Sequence, residues 1–116
     1  MALELSSFQA LRLLHDVNFA LVHDDKPDLT LRQLAILLAV YLDPPPHTVR
    51  GLAAKLGVAK PVITRALDTM TGLGLVARRR DNADRRNVLV QRTVGGALYL
   101  ESLGDVLSRN ARALPA

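Results

Sequence analysis

"VARRRDNADRRNVLV" (76–90) is the stretch on which the reading of this chain turns. Two strand-like runs, Leu75–Arg79 and Asn87–Thr93, are joined by the polar turn Arg80–Arg86. Val88 and Val90 alternate with residues of the opposite face, and β-branched residues at a period of two beside an Asp/Asn turn signal a two-stranded hairpin. Five arginines flank and fill that turn. Their presence raises the question of what anion they meet.

Upstream of the hairpin lie two short helices. Thr48 is placed to cap Val49–Leu56, and Gly57 sits where a C-terminal glycine ends a helix. Pro61 falls in the first turn of the next helix, where its missing N–H costs nothing. That helix runs from Lys60 to about Thr71. Its inward stripe is Ile63, Leu67 and Met70, which leaves Lys60, Pro61, Thr64, Arg65 and Asp68 outward. Two short helices joined by three or four residues, the second with a polar outer face, form a helix-turn-helix. Gly72 and Gly74 end the second helix, and a hairpin directly after such a pair makes a winged helix.

Further out, a first helix spans Leu3 to about His23, with apolar residues at 10, 13, 14, 17, 20 and 21, until Asp24–Asp28 breaks the pattern. Thr30 and Gln33 form a capping-box pair that opens Leu31–Leu42, a helix apolar almost all round and so the expected central element. Pro44-Pro45-Pro46 is a stiff connector. Gly95-Gly96 reads as a helix end. A last helix starts at Val94 with Leu98, Leu100, Leu103 and Leu107 as its apolar side, and Arg109–Ala116 is expected to fray. The fold class is mainly α with a small β-hairpin (α+β), in a single domain 1–116. Its expected parts are an N-terminal helix and loop (1–28), a winged helix-turn-helix core (29–93) and a C-terminal helix (94–116).

Half of the residues are apolar, but only four are aromatic and none is Trp, so the core is built from Leu, Val and Ala. The absence of Cys excludes disulfides, thiolate metal sites and thiol redox sensing, and fits a reducing cytosol. The N-terminus lacks the pattern of a signal peptide, and the longest apolar run, Leu34–Leu42, is too short to span a bilayer. A cytoplasmic protein without membrane contact is expected. Charge is unevenly spread: residues 1–46 carry three basic and six acidic side chains, 47–92 carry ten and three, and 93–116 carry two of each. The central segment therefore generates a positive field suited to a polyanion, against the plainer reading of a solvated basic surface.

"TVRGLAAKLGVAKPVITRALDTMTGLGLVARRRDNADRRNVLVQRTVGG" (48–96) resembles the MarR-type winged-helix transcription regulators. The similarity extends over about Leu29–Gly96. The family's wing pattern of Asp, Asp-x-Arg, a strand, Leu-Thr and a following glycine is matched by Asp81, Asp84-Arg85-Arg86, Val88–Val90, Arg92-Thr93 and Gly96. Leu52-Ala53, Leu56-Gly57-Val58 and Gly74-Leu75-Val76 fit the remainder. Arg92 stands where the family usually has Leu, so a different packing at the base of the wing is expected. Ala59 replaces the usual Ser or Thr cap, a loss of about 1 kcal/mol. The residues after Gly96 leave room for one C-terminal helix, a shortened form of the family's dimerisation region.

The resemblance implies a DNA-binding regulator, by family default a repressor and a dimer pairing through its N- and C-terminal helices. Major-groove reading falls to Lys60, Pro61, Thr64 and Arg65 on helix 60–71. Arg65 is able to pair with guanine for about 1–3 kcal/mol of discrimination, or else pairs with Asp68 on its own helix. In the 80–86 wing, Arg79, Arg80, Arg85 and Arg86 are the DNA-facing candidates; the resemblance assigns Arg86 to the minor groove or its backbone. Arg78 meets phosphate or supports the wing, Thr48 and Arg50 are phosphate contacts, and Asp81 and Asp84 structure the turn by accepting backbone N–H bonds.

His15 and His23, two turns apart beside Asp16, Asp24 and Asp25, lack a diagnostic metal spacing, so no metal and no cofactor are expected. No Gly-rich phosphate loop or Ser/His/Asp grouping is present, so no enzyme is expected. The expected partners are double-stranded DNA and a second copy of the chain; the sequence points to no small-molecule effector and leaves open whether there is one. The rival expectation is a winged-helix adaptor whose basic wing binds an acidic protein.

Overall fold

The computed structural model describes residues 4–115. Its elements are α1 (Ser7–Val22), α2 (Leu31–Leu42), α3 (Val49–Leu56), α4 (Lys60–Gly72), β1 (Val76–Arg80), β2 (Val88–Arg92) and α5 (Val94–Arg112). They gather into two compact units, residues 29–99 and residues 1–28 with 100–116.

In the 29–99 unit, local signals set the helix bounds. Thr30 and Gln33 form a reciprocal capping box at the start of α2. Thr48 accepts the Gly51 N–H at the start of α3, and Gly57 ends α3 in the left-handed region (φ 69°). Val58 then donates to the Ala53 carbonyl, so the chain reverses within three residues and α4 begins at Lys60. Ala59 supplies no side-chain cap, as its missing hydroxyl dictates.

Ile36, Leu37 and Val40 of α2 are fully buried, as are Ile63, Leu67 and Met70 of α4; Leu52 of α3 is almost so. Helix α2 is central on one face only. Leu31 and Leu42, at its two ends, are largely solvent-exposed, because terminal residues project past the helices that cover its middle. At about 25 cal/mol per Å² of apolar area, each fully buried Leu or Ile stabilises the fold by about 1.5–3 kcal/mol.

The hairpin is antiparallel, with Val76 opposite Arg92, Arg78 opposite Val90 and Arg80 opposite Val88. Both strands begin one residue later than the sequence indicates, and the first also ends one later. Opposed residues share a face, so Arg78 and Arg80 lie on the face of the buried Val76 and Val90, while Arg79 lies on the other. A third rung, which no local pattern signals, is also present: the Val90 N–H donates to the His47 carbonyl (2.8 Å), and Thr48 bridges Leu89. The lead-in to α3 thus pairs with β2. His47 is 7% exposed, and its Nε2 lies 3.1 Å from the Asp43 carbonyl.

The hairpin joins α5 through Tyr41, whose hydroxyl accepts the Thr93 N–H and lies 2.8 Å from the Thr93 carbonyl. Gly96 is required there rather than being a mere helix end. A Cβ on it would run into that hydroxyl and the Leu75 carbonyl.

In the other unit, α1 starts at Ser7 on a capping box between Ser6 and Gln9. Leu3, the expected start, lies outside the described residues. The expected fraying from Arg109 is not found before Arg112. Asn110 Nδ2 donates to the Val106 carbonyl, Arg112 bonds Ser108, and Arg109 and Arg112 sit where cations favour the helix dipole. The expected apolar side of α5 is also corrected. Val106 is its buried apolar residue, whereas Leu98 and Leu107 are exposed. Among the described residues no helix is long and apolar enough to cross a membrane.

Candidate nucleic-acid interface

Three elements of the 29–99 unit converge on one cleft of about 150 Å³. The start of α3 brings Arg50, the first turns of α4 bring Lys60 and Thr64, and the hairpin brings Arg78 and Arg86. Each arrives by local necessity. The Thr48 cap fixes the first turn of α3, Gly57 aims α4, and strand parity turns Arg78 inward. Asn87, which the sequence reading passed over, also lines the cleft.

The cations differ in how far they are already spent. Arg78 Nη2 lies 2.8 Å from Asp68 Oδ1, so Asp68 pairs across to the hairpin and not with Arg65 on its own helix. Arg86 grips Asp84 in a fork, Nε to Oδ1 and Nη2 to Oδ2 at 3.0 Å each. Arg50, Lys60 and Arg65 make no ion pair among the described residues. The Thr64 hydroxyl donates to the Lys60 carbonyl at 3.2 Å, which leaves its methyl group for an outside contact.

The turn organises itself. Asp81 Oδ1 accepts the Ala83 N–H and Asp84 Oδ1 accepts the Arg86 N–H, two side-chain turns in succession. Arg80 Nη1 donates to the Arg85 carbonyl at 2.7 Å, tying strand end to tip. The Arg86 fork, aided by its backbone N–H and by the charge of Arg50, holds the Asp84 carboxyl below the usual carboxylate range. The same contact raises Arg86. Arg79, on the far face of β1, and Arg85, at the tip, are exposed and lie outside the cleft.

The arrangement suits a rod-like polyanion. A helix presents unpaired Lys60 and Arg65, and beside it stands a cross-braced basic hairpin. The sequence model described as the MarR family matches residues 28–87, which take in α2, the helix-turn-helix, β1 and the turn that follows it. The chain belongs to the MarR family. An organic hydroperoxide resistance transcriptional regulator of Bacillus subtilis (strain 168) is 32% identical over 82 residues, covering 71% of this chain and 55% of that protein. This MarR-family chain thus spans about half the length of that curated relative. Among solved structures, the repressor CouR bound to a 23-mer DNA duplex is 26% identical with a TM-score of 0.70, covering 90% of this chain and 70% of that one. A transcriptional regulator from Thermotoga maritima shares the winged-helix fold at 24% identity, with a TM-score of 0.71 over 86% and 68% of the two chains.

Histidines play no part in this site. His15 lies 2.9 Å from Asp16 Oδ1 and stacks on Phe19, and His23 Nδ1 lies 2.6 Å from the Phe19 carbonyl. Among the described residues no group of three or more His, Cys, Asp or Glu is placed to hold a metal.

Proposed function

We propose that this MarR-family chain binds double-stranded DNA in a sequence-specific manner and regulates transcription, acting as a repressor in the cytoplasm. Residues 29–93 form the DNA-binding core. The observation that carries the reading is the convergence of Arg50, Lys60, Thr64 and Arg86 on one cleft, with Arg65 unpaired on the same helix. Helix α4 enters the major groove, where Lys60, Pro61, Thr64 and Arg65 meet base edges. Arg79, Arg80, Arg85 and Arg86 follow the minor groove or its phosphates, with Asp81 and Asp84 keeping the tip in shape. Thr48 and Arg50 hold the backbone beside α3. Likeness to a repressor solved on a DNA duplex supports this reading.

A second copy completes the regulator. Phe8, Leu11, Phe19 and Val22 lie along one side of α1, and the outermost two, Phe8 and Val22, are 75% and 70% exposed. Large apolar side chains at helical spacing in water are the mark of a face to be covered. Pairing through the 1–28 and 94–116 flanks would set two α4 helices on half-sites about one helical turn apart, on a pseudo-palindromic operator.

Titration into a labelled random-sequence duplex at several salt concentrations tests the proposal. Binding that falls log-linearly with salt, with a slope that flattens in Arg85→Ala/Arg86→Ala, supports it. Absence of binding at low salt rejects it and leaves the wing to an acidic protein partner.

A further inference from the structure

Asn87 stands in the wall of the cleft of about 150 Å³, where the turn meets β2. Its backbone is fully occupied. The N–H donates to the Asp84 carbonyl at 2.9 Å, and the carbonyl accepts the Asp81 N–H at 3.1 Å. Those two bonds close the turn, so the place of Asn87 does not depend on its side chain. The side-chain amide makes no hydrogen bond with any described residue, although Asn87 is half-buried. An amide in that position is ready to meet an external partner.

The other donors around the cleft sort by what they already hold. Arg78 is taken by Asp68 and Arg86 by Asp84, and the Thr64 hydroxyl is spent on the Lys60 carbonyl. Three donors remain, Arg50 from α3, Lys60 from α4 and Asn87 from the hairpin, each on a different element. The cleft has about half the volume at which small-molecule sites begin, about 300 Å³. It therefore takes a group projecting from a longer chain. Two cations and one neutral N–H donor around a small space match an oxyanion with several acceptor oxygens, which a phosphodiester offers at every nucleotide.

We propose that Asn87 is a DNA-contacting residue whose Nδ2 donates to a backbone phosphate seated between Arg50 and Lys60. The inference rests on the DNA-binding reading and adds to it a contact that carries no charge. The two kinds of donor act differently. A cation that meets phosphate releases counterions, so its contact weakens as salt rises. A neutral amide releases none, and its contact is kept at every salt concentration. Asn also has a shorter side chain than Lys or Arg, with less freedom to lose, so it holds the phosphate to one register.

The full 116-residue chain, as wild type and as Asn87→Ala, Asn87→Asp and Arg50→Ala, is titrated into two labelled random-sequence duplexes at several salt concentrations. One duplex is A·T-rich and the other G·C-rich. Asn87→Ala is expected to weaken binding about tenfold, equally on both duplexes and at every salt, so its salt plot runs parallel to that of the wild type. Arg50→Ala should instead flatten the slope by about one unit. No left-handed backbone is needed at position 87, so Ala and Asp both fit the turn. Asn87→Asp keeps the shape of the side chain, removes its N–H donor and adds a negative charge. It should bind more weakly than Asn87→Ala, and it decides the matter should the Ala variant misfold. An Asn87→Ala plot that overlies the wild type, a loss confined to one duplex, an Asp variant as tight as the wild type, or an Arg50→Ala slope equal to that of the wild type would overturn the assignment and leave DNA binding standing. Wild type that binds neither duplex at low salt would overturn both.

Discussion

Asp68 of α4 and Arg78 of β1 form an ion pair at 2.8 Å that braces the outward-facing helix against the hairpin. Asp68 is 60% exposed and Arg78 29%, so the pair contributes at most about 1 kcal/mol to stability. Its larger effect is on charge, because it neutralises one arginine beside the cleft. Asp68→Asn should therefore lower stability by under about 1 kcal/mol while steepening the salt dependence of random-duplex binding by up to about one unit of slope. Chemical denaturation and salt-dependent titration measure the two effects. A large stability loss with an unchanged slope would contradict the assignment.

Among the described residues Arg65 makes no ion pair, so its removal leaves no partner charge behind. Arg65→Ala should leave folding intact, cost about 1–3 kcal/mol on the cognate operator and cost much less on random DNA. The comparison to make is the ratio of the two affinities. A uniform loss on both duplexes would make Arg65 a phosphate contact.

The wing tip carries a pH signature. Arg86 holds the Asp84 carboxyl below its ordinary range, so the folded state binds a proton there less readily than the unfolded chain. The contribution of the pair is fully present above the ordinary carboxylate value and is lost as pH falls through the lowered one. Carboxyl NMR should place the Asp84 midpoint below the ordinary carboxylate value, and Arg86→Ala should raise it toward that value. A midpoint that does not respond to Arg86→Ala would remove the fork from the account.

Gly96 tests the Tyr41 junction. A Cβ there meets the Leu75 backbone carbonyl as well as the Tyr41 hydroxyl, and a carbonyl cannot rotate away as a flexible side chain can. Gly96→Ala should destabilise the fold by about 1–3 kcal/mol in the manner of an overpacked site. Gly104→Ala, facing open space within α5, should be neutral or stabilising. Paired thermal melts decide it.

Where a boundary depends on neighbouring residues, the sequence was enough. Thr30 with Gln33, and Thr48 with Gly57, mark α2 and α3 because capping is settled within one helical turn. The same kind of signal, Ser6 with Gln9, starts α1 at Ser7, whereas apolar spacing from residue 10 onward leaves that start open. Periodicity was enough for the buried face of α4, but not for α5. There the apolar stripe wanders, and burial is decided by what packs against the helix.

The cleft was legible in its parts and not in its connections. Lys60, Thr64 and Arg65 read as outward from helical geometry alone. That Asp68 would choose Arg78 over Arg65 depends on the distance between two elements, which no local pattern encodes. Arg92 stood out as unusual for its family, and the Val40 carbonyl and Tyr41 ring that receive it come from a helix half a chain away.

The rung between His47 and Val90, with Thr48 against Leu89, ties the inner strand of the wing to the threshold of α3. The wing is consequently a cantilever clamped along its root, and only residues 81–87 overhang. On the proposed DNA-binding reading, a duplex would meet a hairpin anchored at its root and overhanging at its tip.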